Sequence, residues 1–172
     1  MKKLVCCYSN TGNNELIAKK IAGKIGAELE MVSFPKKDMK GAAMTHISLI
    51  PPKVPGLKND VAEYDHVVFV APTWMGRVAR PMKQVMKKNR KKIKDYSLVS
   101  FCGGALGRNE KLKGTTAKLM KSSPKAFSEL IINDIMPADK KNQMKETSAF
   151  KLDEEGFKFY KTSVDDFCKE IS

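Results

Sequence analysis

Val67-Val68-Phe69-Val70-Ala71 is apolar at every position, and a strand built from it has no face to turn toward water. Runs of this kind belong to strands covered on both sides, as in a parallel sheet that carries helices on its two faces. Leu4 to Tyr8, Tyr96 to Cys102 and Phe127 to Ile132 read as further strands. Glu28 to Phe34 alternates loosely and adds another, which Pro35 stops. Helical spacing appears between the strands. Leu16, Ile17, Ile21 and Ile25 form one stripe that Gly26 ends, and a helix from about Ala79 to Lys91 has Pro81 in its first turn. Glu110 to Met120 forms another, and Phe157, Tyr160, Val164, Phe167, Cys168 and Ile171 share one face of the last. Strands alternating with helices need crossover connections, so the expected class is α/β: three layers, doubly wound, around a five-stranded parallel sheet. The 172 residues fit a single domain, 1–172. Residues 35 to 65 hold Pro35, Pro51, Pro52 and Pro55 and predict an irregular connection, with helical pieces near Met39–Ile50 and Leu57–Glu63.

The polar stretch Ser9-Asn10-Thr11-Gly12-Asn13-Asn14 lies between the first strand and the first helix. At a helix N-terminus the unpaired backbone N–H groups and the positive end of the helix dipole favour an anion. Ser9, Asn10, Thr11, Asn13 and Asn14 add side-chain donors, and a phosphate monoester is the natural occupant. The stretch contains no Lys or Arg, so neutral groups are expected to do the binding.

These residues resemble the phosphate loop of the flavodoxin family, Ser/Thr-x-Thr-Gly-x-Ser/Thr after the first strand. Five of the six positions agree, and Asn14 stands where the family has a hydroxyl. The resemblance implies FMN as cofactor, a flavodoxin-like strand order 2-1-3-4-5, and a ligand beyond the carboxyl ends of the strands at the switch point. The loops after the third and fourth strands then complete the site. Thr73-Trp74-Met75-Gly76 is similar to the family's first isoalloxazine loop, which makes Pro72, Thr73, Trp74, Met75 and Gly76 candidates, with Trp74 as a flat apolar wall. Cys102, Gly103, Gly104 and Gly107 occupy the place of the second, where glycines let backbone amides approach a ring edge. Residues 103 to 113 contain no Phe, Tyr or Trp. One flavin face is therefore expected to be open, which suits a stacking nicotinamide or quinone.

Three functions stay open at this point: an FMN protein of electron transfer, an FMN-dependent NAD(P)H oxidoreductase of the quinone or flavin reductase type, and a basic binding module without flavin. The residues after the first strand are not the acidic set of a magnesium-binding receiver domain, and Gly-Lys-Ser/Thr of a nucleotide P-loop is absent. Lys and Arg number 32 against 19 Asp and Glu, a net charge of +13. The densest run, Lys87 to Lys94, lacks the interleaved aromatics that stack bases, which argues for a solvated helix end and against nucleic acid. Arg77, Arg80 and Arg108 lie near the proposed loops and suit an acidic surface on a redox partner protein, or NAD(P)H. Cys6, Cys7, Cys102 and Cys168 show no Cys-x-x-Cys spacing and are expected to be buried thiols. His46 and His66 are too isolated for a triad or a metal site. No run is long enough to span a bilayer or serve as a signal peptide, so a cytoplasmic location is expected.

Overall fold

A computed structural model describes residues 1–34, 53–104, 107, 109 and 111–172. Five parallel strands form the main sheet: β1 (Lys3–Cys7), β2 (Glu28–Met31), β3 (His66–Val70), β6 (Asp95–Cys102) and β7 (Phe127–Ile131), in the order β2-β1-β3-β6-β7. Counted among themselves they run 2-1-3-4-5, the expected order. A two-stranded antiparallel hairpin, β4 (Thr73–Trp74) with β5 (Arg77–Val78), stands apart from the sheet. The longer helices are α1 (Asn13–Ile25), α2 (Arg80–Asn89), α3 (Leu112–Met120) and α5 (Glu154–Glu170), and α4 (Met144–Ala149) is a short one before the last.

Strand side chains alternate between faces, and each face has its own core. Val5, Cys7, Val68, Val70, Val99, Phe101 and Leu130 pack against Ile17 and Ile21 of α1 and Phe157, Tyr160, Val164 and Phe167 of α5. On the opposite face, Leu4, Cys6, Val67, Phe69 and Leu98 pack against Met82, Val85 and Met86 of α2 and Leu112 and Met120 of α3. All four cysteines are buried and free. The last helix buries its whole predicted stripe, and Tyr160 Oη donates to Ile131 O at 2.5 Å, tying α5 to the end of β7.

Three expectations change. The second strand stops at Met31 rather than Phe34: among the described residues its one neighbour is β1, their register ends at Cys7↔Met31, and a last bond from Val32 N to Cys7 O at 2.7 Å closes the pairing. The piece near Leu57–Glu63 is helical only as one 3₁₀ turn, Val61–Glu63. Its upstream N–H groups, those of Lys58 and Asn59, donate instead to the buried Glu30 carboxylate at 2.5 and 3.1 Å. The hairpin and α4 carry no periodic pattern and were not expected. The piece proposed at Met39–Ile50 lies outside the described residues. Among the described residues, no helix is long and apolar enough to cross a membrane.

β6 reaches beyond β3: the β3–β6 register ends at Val70↔Val99, whereas β6 and β7 continue to Cys102↔Ile131. The Phe101 backbone groups that would face a neighbour on that side meet Asn14 instead. Asn14 Nδ2 donates to Phe101 O at 2.9 Å, and Phe101 N donates to Asn14 Oδ1 at 3.2 Å. One buried amide thus stands in for a stretch of strand and locks the start of α1 to the end of β6.

At the opposite end of the sheet, His66 is fully buried, with Nε2 at 2.9 Å from Ser97 Oγ and Nδ1 without a partner among the described residues. Burial lowers its pKa to about 4, assisted by Lys125 and Lys3 and opposed by Asp95.

Two measurements test this framework. Because His66 is held neutral in the fold but takes a proton near pH 6.5 when unfolded, its contribution is complete above about 6.5 and is lost as pH falls from there toward 4. Urea unfolding between pH 7 and 4.5 is expected to show a loss of up to about 1.4 kcal/mol per pH unit that His66→Gln removes; equal slopes for both proteins would refute it. Asn14→Ala leaves a buried N–H and C=O unmet and is expected to lower stability by about 1–3 kcal/mol for each, with faster amide exchange at Phe101. Unchanged exchange would show that the clamp is redundant.

Candidate functional site

The chain leaves β1 toward β2 on one side and β3 toward β6 on the other, so the sheet's switch point lies between the carboxyl ends of β1 and β3. The loop from Tyr8 to Gly12 opens there. Gly12 N donates to Ser9 Oγ at 3.1 Å, and Gly12 takes a left-handed conformation as the residue before α1. No side chain caps the helix. Its first intrahelical bond is Leu16 N to Gly12 O at 3.0 Å, which leaves the N–H groups of Asn13, Asn14 and Glu15 without a helical acceptor.

The expected side-chain donors divide into two groups. Asn13 and Asn14 are buried, and their amides are engaged inside the fold. Asn13 Nδ2 donates to Phe150 O and Leu152 N donates to Asn13 Oδ1, both at 2.9 Å, while Asn14 holds Phe101. Their side chains therefore build the loop, and what they offer a ligand is backbone N–H. Ser9, Asn10 and Thr11 stay at the loop surface. A cation also arrives from the segment between α4 and α5: Lys151 Nζ donates to Thr11 O at 2.7 Å. Neutral donors are thus not alone at the loop.

The second loop is the β4–β5 hairpin. Its two central residues, Met75 and Gly76, have φ of 49° and 74°, the pairing of a type I′ turn, whose twist matches that of the strands it joins. Glycine takes such a conformation freely, whereas Met75 is strained there and leaves its side chain 87% exposed. Trp74 is half-buried, and its indole meets Tyr8 edge-on with centroids 5.8 Å apart at 85°. Tyr8 meets Phe34 in the same way at 6.2 Å. Thr73 Oγ1 lies 2.6 Å from Ser100 Oγ, fixing the hairpin base to β6. Pro72 O accepts from Ala79 N at 2.9 Å and closes the loop at the start of α2.

In the third loop the glycines answer first to packing. A Cβ on Gly104, which has φ of 68°, would fall 2.2 Å from Ile131 Cγ2, and one on Gly103 would fall 2.9 Å from Thr147 Oγ1 of α4. Gly107 N donates to Gly104 O at 2.9 Å and turns the chain back. Asn109 then joins three elements. Its Nδ2 donates to Gly76 O at 2.6 Å, its N–H donates to Glu129 Oε2 at 3.1 Å, and its carbonyl accepts from Leu112 N at 2.9 Å. The Cys102 thiol is buried and donates to Glu129 Oε1 at 3.7 Å. Burial, reinforced by that carboxylate, raises its pKa to about 12, so it is no thiolate nucleophile. Arg108 lies outside the described residues, and Arg77 is exposed on β5.

The three loops form one connected rim: Tyr8 against Trp74, Thr73 against Ser100, Asn109 on Gly76 and Asn14 on Phe101. Asn109, Thr147 and Lys151 belong to this constellation, yet sequence reasoning did not single them out. Asn109 adjoined a recognised loop and was within reach of such reasoning. Lys151 stands 140 positions from its partner and carries no local signal.

No protein-family model matches the chain, and no curated protein is significantly similar to it in sequence. Solved structures do match. A protein from Bacteroides eggerthii described as a flavoprotein superposes with a TM-score of 0.64 at 15% identity, over 96% of this chain and 97% of that one. A flavoprotein from Lactobacillus acidophilus, solved in complex with FMN, gives 0.59 at 23% identity over 74% of this chain and 92% of its own. A flavodoxin from Streptococcus pneumoniae gives 0.53 at 14% identity over 99% and 97%. At these identities the likeness speaks for architecture, and it agrees with the strand order and two-faced core: this chain has the flavodoxin-like fold.

Proposed function

We propose that the chain binds FMN across the carboxyl ends of β1, β3 and β6 and serves in electron transfer. The observation that carries this is the start of α1 at the switch point, where among the described residues no side chain caps the helix and the first-turn N–H groups lack a helical acceptor, beside the half-buried Trp74. The residues present fit the group. A helix N-terminus ringed by Ser9, Asn10 and Thr11 suits a terminal phosphate dianion, and the loop adds no second glycine-rich turn for the diphosphate of FAD. Trp74 offers a flat apolar surface whose orientation Tyr8 fixes. The third loop, held by Asn109 and Glu129, sets backbone groups at the far side of the rim. Bound FMN supplies reversible one- and two-electron chemistry; the chain's residues bind it, orient it and limit the water around it.

The surroundings of the rim suit a partner. Exposed Met75 and exposed Arg77 lie together at the hairpin, an apolar tip beside a cation, which fits an acidic surface on a redox partner protein. A second reading rests on the absence of any aromatic between residues 103 and 113. With one ring face uncovered by an aromatic, NAD(P)H can stack and the protein acts as an FMN-dependent oxidoreductase. Reduction of the loaded protein by NADPH alone supports that reading, and reduction only through a partner protein supports the carrier.

Calorimetry with FMN, riboflavin and FAD tests the site. FMN is expected to bind best, since only it places a terminal phosphate at the start of α1. Equal affinity for riboflavin and FMN would show that the loop is no phosphate site, and a colourless protein that takes up no flavin would leave a flavin-free binding module. Trp74→Ala is expected to weaken FMN binding by roughly 1–3 kcal/mol, the range for base–aromatic stacking, and to restore flavin fluorescence quenched by the indole. Unchanged affinity together with unchanged fluorescence would place the ring elsewhere.

A further inference from the structure

We propose that Lys151 is a binding residue for the FMN phosphate, its ammonium supplying the formal positive charge that the loop's own sequence lacks. The proposal rests on the FMN reading of the site given above. Lys151 Nζ donates to Thr11 O at 2.7 Å, which places a cation on the backbone of the loop itself. The placement is fixed from both sides. Asn13 bonds Phe150 O through Nδ2 and Leu152 N through Oδ1, both at 2.9 Å, so the residues before and after Lys151 are fastened to the first turn of α1.

Charge pairing separates Lys151 from the lysines of the two helices that flank it, α1 and α5. Lys19 pairs with Glu15, Lys20 with Glu154, Lys24 and Lys161 with Asp165, and Lys158 with Glu155. Among the described residues no carboxylate pairs with Lys151, and its one bond is to a neutral carbonyl. An ammonium has three donors, so two remain for an anion. The position is also electrostatically unfavourable on its own, because a cation beside the start of a helix faces the positive end of the dipole. A phosphate dianion between the two removes that repulsion and gains from both. Neutral donors then orient the phosphate, and Lys151 balances its charge.

Calorimetry of wild type, Lys151→Gln and Lys151→Arg with FMN and with riboflavin tests the assignment. Lys151→Gln is expected to weaken FMN about three- to tenfold, between an exposed ion pair and a charge-assisted hydrogen bond, and to leave riboflavin unchanged. Lys151→Arg keeps the charge and is expected to keep FMN affinity within about twofold. The weakening of FMN binding by added salt should be smaller in Lys151→Gln than in wild type, because screening then has one charge fewer to act on. Without flavin, Lys151→Gln should melt no lower than wild type, since a repulsion is relieved. Equal FMN affinity in wild type and Lys151→Gln overturns the proposal, as does an equal loss of FMN and riboflavin accompanied by a lower melting temperature, the mark of a purely structural lysine. Wild-type protein that binds no FMN overturns the functional reading itself and this assignment with it.

Discussion

A parallel sheet leaves a difficulty wherever one strand outruns its neighbour, because the projecting N–H and C=O groups have lost their ladder partners and lie too deep for water. Here β6 projects past β3, and Asn14 takes up the slack with a bidentate amide. An unmet pair of buried backbone groups costs about 1–3 kcal/mol each, so the clamp strongly favours one placement of α1. The rest of the rim follows. The start of α1 sits against the end of β6, the loop before it opens at the switch point, and Thr73 and Ser100 bring the hairpin to the same strand. The loop and the third-strand hairpin are thus referenced to β6, near the middle of the sheet, where helices cover both faces.

The repeating parts of this arrangement were legible in the sequence. The run Val67 to Ala71 announced a strand buried on two faces, and the stripe from Phe157 to Ile171 announced the helix that covers one of them. Periodicity reports which face is apolar, and it does so locally. What escaped were pairings with no period. Asn13 and Asn14 read as loop donors, since an amide in a polar stretch carries no sign of whether it faces water or the fold. Their acceptors are 137 and 87 residues away. The β4–β5 hairpin escaped because its tip is Met-Gly rather than Asn-Gly, and each strand is only two residues long. The glycines of the third loop were legible as a loop, but Gly103 and Gly104 are small because Thr147 and Ile131 occupy the space beside them.

The basic run also reads differently in three dimensions. Arg90 donates to Leu119 O at 3.1 Å, and Lys92 and Lys94 pair with Asp60 and Asp65, each at 3.2 Å. These contacts join the end of α2 and the start of β6 to α3 and to the chain entering β3. Exposed pairs of this kind contribute little stability singly, but they turn part of a conspicuous charge cluster into local stitching.

The two bonds of Asn13 reach a segment almost at the other end of the sequence, Phe150 to Leu152. Residues that form the first loop are made before the carbonyl and N–H that fix them. A chain still attached to the ribosome and stopped before residue 150 has its first strand, its first helix and a loop without its fastening. Completion of the candidate site is thereby tied to the segment that leads into α5, and a chain without that segment carries no finished copy of it.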